Sequence, residues 1–478
     1  MHVGALVLAI TLVGEPAISA PVIDGPLKVL SSNPHYFADP QGKAVYLTGS
    51  QTWNTLQDWG TDGVVEPLDF PAFVGMLVSH HHNFTLLWAT ELPTFHNLPT
   101  TEKDPPDFTV EPHPWTRTGP GLASDGKARF DLTRFNQQYF DRLRDRVRKL
   151  DEAGIYVGVY FFTGEWLNLM RFPKDGYPLS GGNNINGVDD GGGIGAVTMT
   201  APNAVTEMQD AYVKKVIDTL NDLPNVLWIV SEEAPGNSVW WNQHLIALAR
   251  SYEGNKPFQH PIGFAATVGF TDSTLLESDA DWIAPVSRIS PTRSHGAGHP
   301  ADKVSVNDSD HSYWEIWNDT PQTNRNYFWI NFTNGSQTLF MDPYVIFYPR
   351  QHRNLPPSPV RGVSSKPDPR WDNVRDTMGY IRRYAERMNL AKMVPHSELA
   401  STGHVLANLE AGKVEILVYG PSGGFVDVDL TDVSGRLSVE WFNPAIGTAT
   451  AGPDIDGGAT RTFAPNFGGD FALYLTSK

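Results

Sequence analysis

Between Ala44 and Met388, short apolar runs alternate with longer segments whose apolar residues recur every three or four positions. The short runs are Ala44–Ser50, Asn83–Ala89, Ile155–Phe162, Val226–Val230, His260–Ala266, Asp281–Val286, Lys303–Asp308 and Gln337–Asp342. Runs that are apolar throughout suit parallel strands buried on both faces. Helical spacing marks Asp69–His80, Phe135–Gly154, Val205–Leu223, Val239–Glu253 and a last helix near Trp371–Met388. In the second of these, Phe140, Leu143, Val147 and Leu150 share one face and Gly154 closes the helix. Strands and helices in this order predict an α/β fold, a (β/α)8 TIM barrel. A doubly wound sheet is the rival, but "TGSQTWNTLQ" after the first strand is not a Gly-rich phosphate loop. The stretch "SGGNNINGVDDGGGIGA" (Ser180–Ala196) follows no strand directly and reads as a long flexible loop.

After Leu390 the period changes to two. "HVLANLEAGKVEILVYGPSGGFVDVDLTDVSGRLSVEWFNPAIGTATAG" alternates apolar and polar residues, with turns at Ala411-Gly412, Ser422–Gly424 and Ser434-Gly435. This predicts an antiparallel β-sandwich over 394–478 after a barrel over 21–393. Packing against the barrel is the role expected of it. The Pro- and Ser-rich segment Pro356–Pro369 is expected to wrap the barrel surface.

Composition narrows the functions. The net charge of −17 disfavours a nucleic-acid partner. No cysteine is present, which removes thiolate catalysis, disulfides and Cys-ligated zinc. The N-terminal "MHVGALVLAITLVGEPAISA" carries an apolar core (Gly4–Val13) followed by small residues. It reads as a signal peptide over 1–20, with a secreted or periplasmic destination, although no Lys or Arg precedes the apolar core. No later segment is long and apolar enough to span a membrane.

In a barrel, working side chains sit at the C-terminal ends of strands. Here those ends bring Trp53, Trp88 and Glu91, Glu165 and Trp166, Glu232 and Glu233, Asp308, Asp310 and His311, and Asp342 with Tyr344. Acids and aromatics gathered at one rim suit glycoside hydrolysis, in which one carboxyl protonates the leaving oxygen. The other attacks the anomeric carbon or activates a water. Trp53, Trp88 and Trp166 either stack on sugar rings or belong to the core. His311 either orients the Asp310 carboxylate or makes a structural bond. The run His80-His81-His82 ends a helix and reads as a solvated cap rather than a metal site. No HExxH motif occurs and no GxSxG elbow is visible, so a zinc protease and a serine hydrolase are disfavoured.

The stretches "YLTGSQTWNTLQD", "HNFTLLWATE", "FDLTRFNQQYFDRLRDRV", "NVLWIVSEEAP", "VNDSDH" and "LFMDPY" resemble a family of secreted bacterial barrel proteins. These are distant members of the clan A glycoside hydrolases, related in outline to the apiosidases. Their C-terminal sandwich is often labelled a collagen-binding domain, and "VEWFNPAIGTATAG" and "DFALYLTSK" resemble it. The resemblance implies a glycosidase with a two-carboxylate retaining mechanism and no cofactor or metal. It implies Glu233 as acid/base and Asp310 or Asp308 as the partner carboxylate. The rim itself, rather than the resemblance, offers Trp53, Trp88, Glu91, Trp166, Glu232, His311, Asp342 and Tyr344 as carbohydrate-binding residues. Two positions depart from the pattern: Glu232 stands where the clan keeps an asparagine, and Leu86 where the family has an arginine. A carbohydrate-binding or surface-adhesion protein on a degenerate barrel is the alternative.

Overall fold

The computed structural model describes residues 22–61, 63–95, 107–265, 271–285, 303–308, 321–346 and 362–478. The segment read as a signal peptide, Asp310 and His311 lie outside these residues. Eight parallel strands form one sheet: β1 (Thr48–Gln51), β2 (Phe84–Leu87), β3 (Tyr156–Tyr160), β4 (Val226–Ile229), β5 (Ile262–Ala265), β6 (Trp282–Ala284), β7 (Val304–Asp308) and β8 (Gln337–Met341). Their order is β1-β8-β7-β6-β5-β4-β3-β2. Bonds from Asn83 N to Thr48 O (3.0 Å) and from Thr85 Oγ1 to Ser50 O (2.8 Å) join β2 back to β1 and close the barrel. Seven of the eight strands lie within their expected runs, and β1 extends one residue past its run, to Gln51.

Large side chains fill the barrel, and glycines make room for them. Phe84 meets Trp282 edge-on inside it, with centroids 6.5 Å apart. A Cβ on Gly263 would fall 2.2 Å from the Trp282 indole, and one on Gly158 would fall 2.6 Å from Leu86 Cδ2. Leu86 is therefore interior packing.

The outer layer holds α1 (Phe70–Ser79), α2 (Gln137–Glu152), α3 (Ala204–Leu220), α4 (Val239–Glu253), the short α5 (Asp272–Leu276), α6 (Pro321–Thr333) and α7 (Asp372–Arg387). Helix α6 was not among the expected helices. Its sequence "PQTNRNYFWINFT" has no apolar stripe, because the helix is buried almost all round from Tyr327 onward. Two further elements replace expected loop. Strands Asp58–Thr61, Val64–Glu66, Thr94–Phe95 and Phe108–Glu111 form a small sheet, and Trp115–Leu122 pairs with Ala128–Phe135 as a hairpin. The Gly-rich stretch, expected to be flexible, is pinned. Arg171 bridges Asp175 and Asp190 and donates to Gly193 O (2.9 Å), and Asn184 Nδ2 donates to Val188 O (2.7 Å).

The C-terminal sheet runs in the order β9 (Val394–Pro395), β10 (Val405–Asn408), β11 (Glu415–Gly420), β16 (Phe471–Ser477), β13 (Arg436–Asn443) and β14 (Thr448–Asp456). A second, two-stranded sheet of β12 (Val426–Val428) and β15 (Arg461–Phe463) covers one face. On β11, Ile416 and Val418 point into this sandwich core, while Leu417 and Tyr419 join the barrel's hydrophobic cluster. Both faces of the main sheet are thus buried, the far face against the helices of the barrel.

Candidate active site

Strand alternation brings one set of side chains to the C-terminal mouth. On β7, Asn307 turns outward and its Nδ2 donates to Asn331 Oδ1 on α6 (2.5 Å). Asp308, one residue on, faces inward and accepts a bond from Gln51 Nε2 (2.7 Å). Gln51 ends β1, and its Oε1 accepts the indole N–H of Trp88 (2.7 Å). Trp88 stacks on Tyr160 at the end of β3, with centroids 4.4 Å apart and planes 26° from parallel. The Tyr160 hydroxyl donates to Glu232 Oε2 (2.7 Å). Burial first, then the negative charges of Glu232, Asp308 and Glu165, hold this phenol well above its ordinary pKa. Glu232 thus meets this ring directly, and Asp308 is linked to it through Gln51 and Trp88.

The β4 end breaks strand periodicity. Ile229 faces inward beside Gly158, yet Glu232, three positions on, also reaches the interior phenol, and Ser231 Oγ donates outward to Asn242 Oδ1 (2.5 Å). The segment is held by β3: Glu232 N donates to Thr163 O (2.8 Å) and Glu165 N to Glu232 O (3.1 Å). Glu233 follows with φ 45°, in the left-handed region that a non-glycine residue occupies at a cost of about 1–3 kcal/mol. Both glutamates are partly exposed.

The other expected residues fall elsewhere. Trp53 and Trp166 are core residues: with Trp59, Phe95 and Phe108 they form a buried aromatic cluster under the small sheet, Trp53 stacking on Trp59 at 6.1 Å. Glu91 does not face the mouth with a free carboxylate; it accepts bonds from Thr163 N (2.9 Å), Gly164 N (2.7 Å) and Thr163 Oγ1 (2.5 Å). Burial raises its pKa, against the lowering effect of these bonds. The substrate contact expected of Asp342 gives way to a structural one. Its two oxygens take a bidentate pair from Arg375 on α7 (both 2.8 Å), with both side chains buried. Tyr344 likewise lies buried against Phe73 of α1, centroids 5.7 Å apart. The three histidines tie α1 to α7 rather than forming a solvated cap: His80 pairs with Asp376, His81 with Glu386, and His82 is buried. Among the described residues no group of three or more His, Asp or Glu could hold a metal ion. None of their helices is long and apolar enough to cross a membrane.

Tyr160 is the residue that sequence reasoning missed, and Gln51, within the expected end of the first strand, was given no role. Each ends a strand and faces inward, so parity counted along β1 and β3 identifies both.

Residues 391–475 match the family described as "Putative collagen-binding domain of a collagenase". None of the curated proteins matches the chain. Among solved structures, a glycoside hydrolase family 5 protein from Bacteroides vulgatus ATCC 8482 superposes with TM-score 0.64 at 14% identity, covering 97% of this chain and 96% of that one. A second protein from the same organism, described as "a putative glycoside hydrolase", gives TM-score 0.62 at 17% identity and covers 95% of this chain and 82% of that one. A further glycoside hydrolase gives 0.60 at 14% identity, with 96% and 99% covered. The chain has the two-part fold of these glycoside hydrolases, a (β/α)8 barrel carrying a C-terminal β-sandwich.

Proposed function

We propose that the protein is a glycoside hydrolase whose proton donor is Glu233 and whose partner carboxylate is Asp308. The observation that carries this reading is the chain of contacts from Asp308 through Gln51, Trp88 and Tyr160 to Glu232, beside a Glu233 held at φ 45°. Backbone strain of this kind collects at working sites, where surrounding contacts hold a side chain in one direction. Glu233 protonates the glycosidic oxygen as the bond to the leaving group breaks. Asp308, oriented by Gln51, meets the anomeric carbon or the attacking water. Glu232, tied to Tyr160, stands where it can accept from a sugar hydroxyl. The resemblance to clan A favours retention of configuration, and NMR of the first product anomer decides it. The first twenty residues would direct the protein to the cell exterior, where a polymeric or oligomeric glycan is its substrate.

On a glycan panel, Glu233→Gln is expected to lower kcat about 10²–10⁴-fold. Equal turnover by wild type and variant would remove Glu233 from the mechanism. Leu86, packed against Gly158 where the family carries an arginine, favours the second reading of a carbohydrate-binding barrel without turnover. Any release of product from a bound glycan ends that reading.

A further inference from the structure

We infer that Glu91 is a positioning residue, clamping the turn from which both glutamates at the end of β4 hang; this rests on the glycosidase reading above. Glu91 lies beyond β2, and its carboxyl spans the Thr163–Gly164 peptide after β3. One oxygen takes the Thr163 and Gly164 N–H groups, at 2.9 and 2.7 Å, and the other lies 2.5 Å from Thr163 Oγ1. On its far side the same turn carries β4. Thr163 O accepts from Glu232 N (2.8 Å), and the next N–H, that of Glu165, donates to Glu232 O (3.1 Å). Gly164 opens the one-and-a-half-turn helix Glu165–Leu169, which presents Asn168 Nδ2 to Glu233 O at 3.5 Å. Gly164 itself has φ 73°, and a Cβ there would stand 2.9 Å from Ala234 Cβ. One side chain thus reaches the backbone of Glu232 through a single peptide, and that of Glu233 through the short helix that Gly164 opens.

The clamp is a matter of acceptors rather than charge. Thr163 Oγ1 also lies 3.3 Å from Ala89 O. With its proton on Ala89 O, the hydroxyl can accept from a neutral group at position 91 while the other oxygen keeps both N–H bonds. A glutamine satisfies the same partners: its carbonyl accepts the two N–H groups and its NH₂ donates to Thr163 Oγ1. An alanine satisfies none and leaves two buried N–H groups without an acceptor.

Glu91→Ala and Glu91→Gln, in the full chain, separate the possibilities. The readout is kcat and KM on phenyl and 2,4-dinitrophenyl glycosides of whichever sugar wild type hydrolyses, with amide hydrogen exchange alongside. The dinitrophenolate leaves without a proton, so it reports the enzyme with its acid bypassed. Glu91→Ala is expected to lose about 10-fold or more in kcat/KM on the phenyl glycoside and little in kcat/KM on the dinitrophenyl one. Glu91→Gln is expected to rescue both. In exchange, the amides of Thr163, Gly164, Glu165 and Glu232 lose about 10-fold or more of their protection in Glu91→Ala but not in Glu91→Gln, while Val157 and Val159 keep theirs. Equal losses on the two leaving groups, or Gln as damaging as Ala, overturn the inference. If wild type hydrolyses no glycoside, the glycosidase reading fails, and the exchange pattern alone decides the clamp: unchanged protection at Glu165 and Glu232 in Glu91→Ala rejects it.

Discussion

At the scale of single residues, the candidate acids were legible because a barrel places chemistry at strand ends, where Asp308, Glu232 and Glu233 stand out in apolar surroundings. The parts of Gln51 and Tyr160 were not, since a neutral amide at a strand end and an aromatic inside an apolar run carry no charge to mark them. His82 shows a different limit. Within "SHHH" it looks like its neighbours, yet it is 2% exposed. Its Nδ1 accepts the Ser50 N–H (3.2 Å) and its Nε2 faces Arg375 O (3.0 Å), which requires the neutral tautomer with the proton on Nε2. Burial pushes its pKa down to about 3, with the charges of His80, Arg375 and Arg382 acting the same way against the bond to Arg375 O. Unfolded, the ring takes up a proton near pH 6.5. Between these values the unfolded state holds the extra proton, so stability falls as pH falls from about 6.5 toward 3, by up to about 1.4 kcal/mol per unit. Chemical denaturation at pH 7 and pH 5 is expected to show a smaller loss in His82→Gln than in wild type, because one such proton is gone. Equal losses would place the titration elsewhere.

At the scale of elements, each of the eight strands has an apolar run readable from sequence, since burial on both faces leaves little choice of residue. Helix α6 escaped for the complementary reason: a helix covered on nearly all sides shows no stripe. Asp342 was misread because the strand-end rule does not say which face a residue takes. Its partner lies in the outer layer, where Arg375 spends Nε and Nη2 on Asp342 and Nη1 on Asp368 O (2.8 Å) and Asp372 (2.7 Å). This joins β8 to the first turn of α7 in the protein interior. Removing one member of such a pair strands the other charge, at a cost of about 3–5 kcal/mol. Arg375→Ala is therefore expected to unfold at markedly lower denaturant than wild type. Asp342→Asn should weaken stability while leaving KM near the wild-type value, and a large rise in KM in a folded Asp342→Asn would return Asp342 to the substrate.

At the scale of the whole molecule, the two-part plan was legible because the period of the pattern changes after Leu390, whereas the way the parts meet was not. The face of the sandwich that meets the barrel looks from sequence like any half of an alternating strand. It carries Leu406, Leu417, Tyr419, Phe442, Ala472 and Tyr474, all packed with the barrel cluster. Trp329 of α6 stacks on Tyr419 with centroids 5.7 Å apart, and Tyr384 of α7 donates to Glu440 (2.6 Å). Arg325 of α6 gives Asp470 two bonds, 2.9 and 2.6 Å, where Asp470 is 1% exposed. The same helix supports β7 on its other side, through Asn331 and through Tyr327, whose hydroxyl donates to Asp308 O (2.7 Å). The sandwich thus backs the helix that backs a candidate carboxylate. An interface this apolar, with an ion pair buried in it, couples the two parts in unfolding. Calorimetry of wild type is expected to show one transition, and Asp470→Ala to move that whole transition to lower Tm, by destabilising it about 3–5 kcal/mol. A sandwich that melted separately in wild type, at a temperature Asp470→Ala leaves unchanged, would show that the barrel stands without its support.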